Sequence, residues 1–384
     1  MHGANLFPHC AKNYALSAAQ TQIIFGCLIA VFTISMIVAG RLLGQLGPRA
    51  VAAIGGLFLG GGYCVAAHSA GNFNLLLLGI GGLAGVGTGF CYVCPIALSA
   101  KWFPHRKGLA TGIVVAGFGG GAILLAQIAE WMLAGGVDVL NVFGRIGLIY
   151  GAIIVAAAIP LRFPDSTEGK PVPVNFAAVL QDWHFWELFS GIFAGTFAGL
   201  LVIGNLKPML LSKGIDSAIA TASISVFAAG NAMGRIFWGW LVDRRKTPVI
   251  PLSLAMLAFS LGLLAVIQSS TSAVIVSFLT GIAFGSCFVI YAAQAGYYYG
   301  ARHVAAVYPI IFLSYGLSGL LGPLTGGWIC DFTGSYQGGL IVGIAVATSR
   351  IGLSLGLSYV DTGVDVKAQQ QKGGSGRWSQ SFRS

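Results

Sequence analysis

Charge is what this sequence has least of. Only 8% of its 384 residues are Asp, Glu, Lys or Arg, where a soluble domain uses about 25% to cover its surface. A chain so poor in charge cannot face water on all sides, which excludes an ordinary soluble protein and points to an integral membrane protein. Acids are the scarcer sign, 11 against 21 Lys plus Arg, for a net charge of +10. That excess does not indicate nucleic-acid binding, because the cations sit in short loops between apolar runs. Histidines are also few: His68, His105, His184 and His303 are scattered over loops and run ends, so no catalytic constellation assembles and no enzyme is expected. Seven cysteines include one CxxC, Cys91 and Cys94, among apolar neighbours without a second pair or a histidine. Packing is its reading, and no metal or other cofactor is expected. Residues 1–17 hold no apolar core long enough for a cleavable signal.

What is present is apolar and glycine-rich: 56% hydrophobic residues, mean hydropathy +0.83 and 57 glycines. Glycine lets membrane helices approach closely. Runs near the ~20 residues that span a bilayer fall at 18–43, 50–68, 73–100, 108–134 and 140–161. A polar stretch, 162–182, carries Pro164, Pro171 and Pro173 and reads as a linker. Six more runs follow at 183–208, 218–242, 248–268, 273–300, 304–329 and 338–360, before a Gly-, Gln- and Ser-rich tail, 361–384, expected to be disordered. The expected organisation is an N-terminal half (1–161), linker, C-terminal half (183–360) and tail, with eleven helices. Arg41, Arg49, Lys101, Arg106, Lys107, Arg244, Arg245, Lys246 and Arg302 follow alternate runs, while loops such as 69–72 and 268–272 carry no cation. By the positive-inside rule the linker and tail are cytoplasmic.

The halves repeat. Gly40 to Gly47 aligns with Gly239 to Lys246 at an offset of 199, and Gly85, Gly89 and Arg106 align with Gly281, Gly285 and Arg302 at 196. Asn5 and Pro8 align with Asn205 and Pro208, the last turn of the helix that opens the second half. Its partner in the first half is therefore expected to be truncated to that turn.

The run 218–242 carries one cation deep inside it: Arg235, in Gly-Asn-Ala-Met-Gly-Arg-Ile-Phe-Trp-Gly, residues 230–239. An arginine there costs about 2.5–3.5 kcal/mol on insertion scales and usually faces a cavity or the bundle interior. The plain alternative is a structural arginine bonded to a helix carbonyl or to Asn231, one turn earlier. Glu130 is a second intramembrane candidate, close enough to the outer end of its run to reach water. Arg145 and Lys207 also sit at outer ends, where long side chains snorkel. No His or Asp holds a clear mid-membrane position, so built-in proton coupling is not expected.

Two six-helix halves, each with a G-x-x-x-D-R type motif after its second helix, resemble the major facilitator superfamily. Within it the chain resembles the oxalate/formate antiporter family and the related monocarboxylate transporters. The resemblance rests on Lys-Trp-Phe-Pro-His-Arg-Lys-Gly-Leu-Ala-Thr-Gly at 101–112, Gly117-Phe118-Gly119 and residues 231–239. It implies an all-α polytopic fold with its first helix missing, and a secondary transporter of small organic anions, monocarboxylates foremost, working by alternating access. The alternatives are a dicarboxylate antiporter of the oxalate/formate type, or a truncated relic that does not transport. The partners implied are the anion and the bilayer, as a multi-pass monomer of the cell membrane.

The resemblance assigns Arg235 to the substrate carboxylate. The family's second cation, a lysine, falls on Tyr315, which supplies a hydrogen bond but no charge at pH 7. It also implies that Tyr92, Phe118, Phe284, Phe288 and Phe312 line the cavity, with Asn231 adding a hydrogen bond. The gate motif is Gly239, Asp243 and Arg244 in the second half, where the acid is expected to cap and to pair with cations. Its first copy keeps Gly40, Gly47 and Arg49 but has Gly44 in the acid's place.

Overall fold

The computed structural model describes residues 18–164, 176–244 and 248–352. The described residues form helices and their connections, with no strand among them. In chain order these are α1 (Ala18–Ala67), α2 (Phe73–Trp102), α3 (Lys107–Ala134), α4 (Val139–Ala158) and α5 (Phe176–Gln181). They continue as α6 (Trp183–Ser212), α7 (Ser217–Val242), α8 (Val249–Val266), α9 (Ser270–Tyr298), α10 (Gly300–Thr333) and α11 (337–352). Seven described stretches are long and apolar enough to cross a membrane.

The two runs expected at 18–43 and 50–68 are the arms of α1, which breaks at Gly47 (φ 78°, ψ 169°) before Pro48. Pro48 has no N–H to continue the helical ladder, and only glycine tolerates the dihedrals that precede it. The linker expected over 162–182 is partly helical, since α5 occupies its last third; residues 165–175 lie outside the described residues. So do the tail 361–384 and the last turns of the run expected to end at 360.

The scarce acids sit where helix N-termini leave backbone N–H groups without partners. Asp138 accepts from Leu140 N at 2.9 Å, Asp182 from His184 N at 3.2 Å and Asp216 from Ala218 N at 2.8 Å, starting α4, α6 and α7. Ser269 and Ser272 start α9 with a reciprocal capping box.

The helices gather into two compact units. Unit 1 holds Met1–Pro104, Gly117–Pro173 and Ala301–Gly316; unit 2 holds His105–Ala116, Val174–Gly300 and Leu317–Ser384. In unit 1, α1 packs on α2 and α4, and Gly85 and Gly89 of α2 lie against Val31 and Ser35 of α1. In unit 2, α7 packs on α9, and Gly281 and Gly285 of α9 lie against Phe227 and Asn231 of α7. The glycines paired by the sequence repeat thus pack in equivalent places inside each unit.

Candidate functional site

In unit 2, Arg235 is 4% exposed. Its Nε donates to Asn231 Oδ1 at 3.1 Å and its Nη1 to the backbone carbonyl of Val115, on α3, at 2.5 Å. The guanidinium lies over the Phe288 ring, 4.5 Å from the centroid. Charge-assisted hydrogen bonds contribute about 1.5–3 kcal/mol each and a desolvated cation–π contact about 2, enough to offset the cost of an arginine at this depth. Phe284 meets Phe288 edge-on at 5.2 Å and Phe227 at 5.7 Å. Trp238 Nε1 donates to Ile282 O at 3.0 Å, which fixes the arginine's helix against α9. Arg235 therefore has the bonds expected of a structural arginine, to Asn231 and to a helix carbonyl.

The same face of α7 carries Gly239 and Asp243, one and two turns beyond Arg235. Asp243 accepts from Gly108 N at 2.7 Å, Leu109 N at 2.8 Å and Tyr297 Oη at 2.9 Å. It caps the N-terminus of a neighbouring helix, α3, as Asp138, Asp182 and Asp216 cap their own. Among the described residues, N–H and O–H donors meet this acid in place of the cations expected to pair with it. Lys107 Nζ donates instead to Gly296 O at 2.9 Å and lies over the Tyr297 ring. Arg244 is exposed and stacks on Trp240 at 3.9 Å. Between the acid and the arginine the helices touch through glycine: a Cβ on Gly239 or Gly108 would strike the other's backbone, and one on Gly112 would strike Arg235 O.

Unit 1 gathers the remaining predicted residues around Phe32 of α1. Phe32 meets Tyr92 edge-on at 5.3 Å, Phe118 at 6.4 Å, Phe312 at 5.8 Å and Tyr315 at 6.4 Å. Tyr92 reaches Phe118 at 5.0 Å and stacks on Phe312 at 5.5 Å, and Phe312 stacks on Tyr315 at 5.0 Å. Such pairs contribute about 0.5–1.5 kcal/mol beyond the area they bury. Here the first gate copy is backbone packing without an acid: a Cβ on Gly40 would strike Ala305 O. Gly47 breaks α1, and Arg49 is exposed.

Three features escape sequence reasoning. Phe32 has no signal of its own as an organising ring, although the repeat offset of 199 aligns it in sequence with Asn231. The Val115 carbonyl has no side-chain signature. Glu130 is exposed, whereas Glu187, near the start of α6, is buried, and Arg350 Nη2 donates to its backbone carbonyl at 3.3 Å. Cys94 donates to Phe90 O of its own helix and Cys91 to Ala52 O, as packing thiols do.

The sequence and the fold are similar to those of known proteins. The Major Facilitator Superfamily profile matches residues 3–323 and 200–379. An uncharacterized MFS-type transporter of Escherichia coli, YhjX, is 26% identical over 80% of this chain and 80% of its own length. The oxalate:formate antiporter of Oxalobacter formigenes is 32% identical over 42% of this chain, a match spanning 40% of that relative. Human monocarboxylate transporter 11 is 26% identical over 91% of this chain and 77% of its own length. Among solved structures, the transporter FucP in its outward conformation superposes with a TM-score of 0.71 at 16% identity, covering 91% of this chain and 93% of FucP. The human organic anion transporter MFSD10 gives 0.67 at 12% identity over 91% and 88%. These two likenesses establish the fold. With its apolar membrane-length helices, internal repeat and matching profile, this chain belongs to the Major Facilitator Superfamily: it is a multi-pass membrane transporter and not an enzyme.

Proposed function

We propose that the protein is a secondary active transporter of small organic anions, monocarboxylates foremost, and that Arg235 binds the substrate carboxylate during alternating access. The observation that carries this reading is the state of Arg235: a buried guanidinium, oriented by Asn231 and Phe288. A planar fork held this way suits bidentate carboxylate binding. Two relatives named for carboxylate transport support the substrate class. Tyr315, Tyr92 and Asn231 are assigned orienting hydrogen bonds, and Phe118, Phe312, Phe284 and Phe288 the substrate's carbon body. Working as a monomer in the cell membrane, with linker and tail on the cytoplasmic side, completes the proposal.

Dicarboxylate exchange is the second reading, favoured by the 32% identity to the oxalate:formate antiporter. Tyr315 argues against it. A second carboxylate facing a phenol in place of a lysine lacks a counter-charge, and an uncompensated buried charge costs about 3–5 kcal/mol. Uptake of labelled acetate, lactate, formate and oxalate into proteoliposomes tests both readings. Arg235→Ala is expected to lower monocarboxylate uptake by about ten- to a hundredfold, and Tyr315→Lys to shift preference toward oxalate. Undiminished uptake by Arg235→Ala would sink the carboxylate assignment; a wild-type preference for oxalate would sink the monocarboxylate one.

A further inference from the structure

Arg235 and Asp243 hold the same neighbour at two points. Asp243 takes the Gly108 and Leu109 amides at the start of α3, and Arg235 takes the Val115 carbonyl about two turns further along. Between these bonds Gly239 lies against Gly108 and Gly112, so the backbones touch and the attachment behaves as one strip. Just past Val115, α3 runs through Gly117, Phe118, Gly119, Gly120 and Gly121. Interior glycine weakens a helix by about 1 kcal/mol relative to alanine, and close packing normally explains its use. Among the described residues packing does not explain Gly117, Gly120 and Gly121, because a Cβ on any of them would meet nothing within 4 Å. What these glycines supply is a backbone that bends easily, immediately beyond the carbonyl that Arg235 holds.

We infer that Arg235 exchanges partners during transport: an incoming carboxylate takes Nη1 from the Val115 carbonyl, and the released α3 bends at Gly117–Gly121. This rests on the carboxylate reading of Arg235 and adds what the arginine does when the anion is absent. The anion offers two charged oxygens where the peptide offers one neutral oxygen, and charge-assisted bonds are about twice as strong. Asn231, bonded to Nε, is then a positioning residue that keeps the guanidinium plane in place while Nη1 changes partner. Losing one end of the strip loosens the other, so binding of the anion is transmitted to the Asp243 cap.

Hydrogen–deuterium exchange of residues 107–116 tests the hand-over on the full chain in lipid nanodiscs, with lactate and oxalate as probes. Ligands ordinarily slow exchange; here at least one probe is expected to accelerate it in this segment by about tenfold, the effect of losing one net hydrogen bond. Arg235→Ala and Arg235→Lys, which removes the fork but keeps the charge, should show the faster exchange without any probe. Gly120→Ala with Gly121→Ala, which create no clash, should bind the probe normally but transport more slowly. Binding is read separately by thermal shift. A probe that binds wild type but not Arg235→Ala, without accelerating exchange, overturns the hand-over and leaves the carboxylate reading standing. Probe binding that survives Arg235→Ala overturns both. Wild-type exchange rates in both probe-free Arg235 variants overturn the hand-over whichever anion is the substrate.

Discussion

Replacing Asp243 with alanine isolates the cap on α3. The carboxylate accepts three hydrogen bonds, from Gly108 N, Leu109 N and Tyr297 Oη. Losing an N-cap costs about 0.5–2 kcal/mol, and a hydrogen bond to a charged group contributes about 1.5–3. Three bonds to one half-buried group do not add in full, because solvent screens the charge and water replaces some contacts. A net loss of about 2–3 kcal/mol follows. In a protein of this size each kcal/mol moves Tm by about 2 °C, so Asp243→Ala should melt about 4–6 °C lower. Asp243→Asn keeps one acceptor oxygen and should lose about half as much. Arg244→Ala is the control: its side chain is exposed on Trp240 and should stay within about 0.5 kcal/mol of wild type. Scanning fluorimetry of the purified protein at one scan rate makes the comparison, since membrane-protein melting is often irreversible. If Asp243→Ala melted with wild type, or Asn were as damaging as Ala, capping would not be what this acid does.

Two further outcomes follow from other parts of the chain. Gly47→Ala should destabilise through backbone strain of about 1–3 kcal/mol, because φ is 78° and ψ 169° while a Cβ would have nothing within 4 Å; a melting temperature equal to wild type would show that α1 breaks for another reason. Burial pushes the Asp182 carboxyl up, but bonds from His184 and Tyr299 and the neighbouring histidine charge outweigh it, leaving the group below its ordinary 3.8. A depressed carboxylate contributes stability that is present above that ordinary value and lost as pH falls through the folded one. The melting difference between wild type and Tyr299→Phe should therefore be largest near neutral pH and shrink in acid below about pH 4; a difference that grows in acid would refute it.

The sequence was most legible where one physical signal dominated. Poverty of charge announced the membrane, and the glycines paired by the repeat fall at close helix contacts in both units, while the arginine expected to face the bundle interior is buried. Less legible were features that depend on the backbone. Asp243 was expected both to cap and to pair with cations, but the sequence does not say which helix it caps. Arg244 is instead drawn to the Trp240 face, and Lys107 to a carbonyl. The Val115 carbonyl could not be read at all, since every residue carries one. Glu187 escaped because its place in the first turns of α6 looks interfacial in one dimension, and only the fold around it makes it buried.

The repeat sharpens what the two halves do differently. At the offset of 199, Phe32 corresponds to Asn231, Met36 to Arg235, Gly40 to Gly239 and Gly44 to Asp243. The glycine packing survives in both copies: Gly40 meets α10 at Ala305 as Gly239 meets α3 at Gly108. The polar positions on either side do not survive. Unit 2 holds its neighbouring helix with a guanidinium at one end and a carboxylate at the other. Unit 1 has rings gathered on Phe32 and no acid at Gly44. Hydrogen bonds from a charged group are directional and about twice as strong as neutral ones, whereas the rings of unit 1 carry only the neutral phenols of Tyr92 and Tyr315. On the carboxylate reading proposed above, the unit that carries Arg235 is the one an anion acts on through a charged donor.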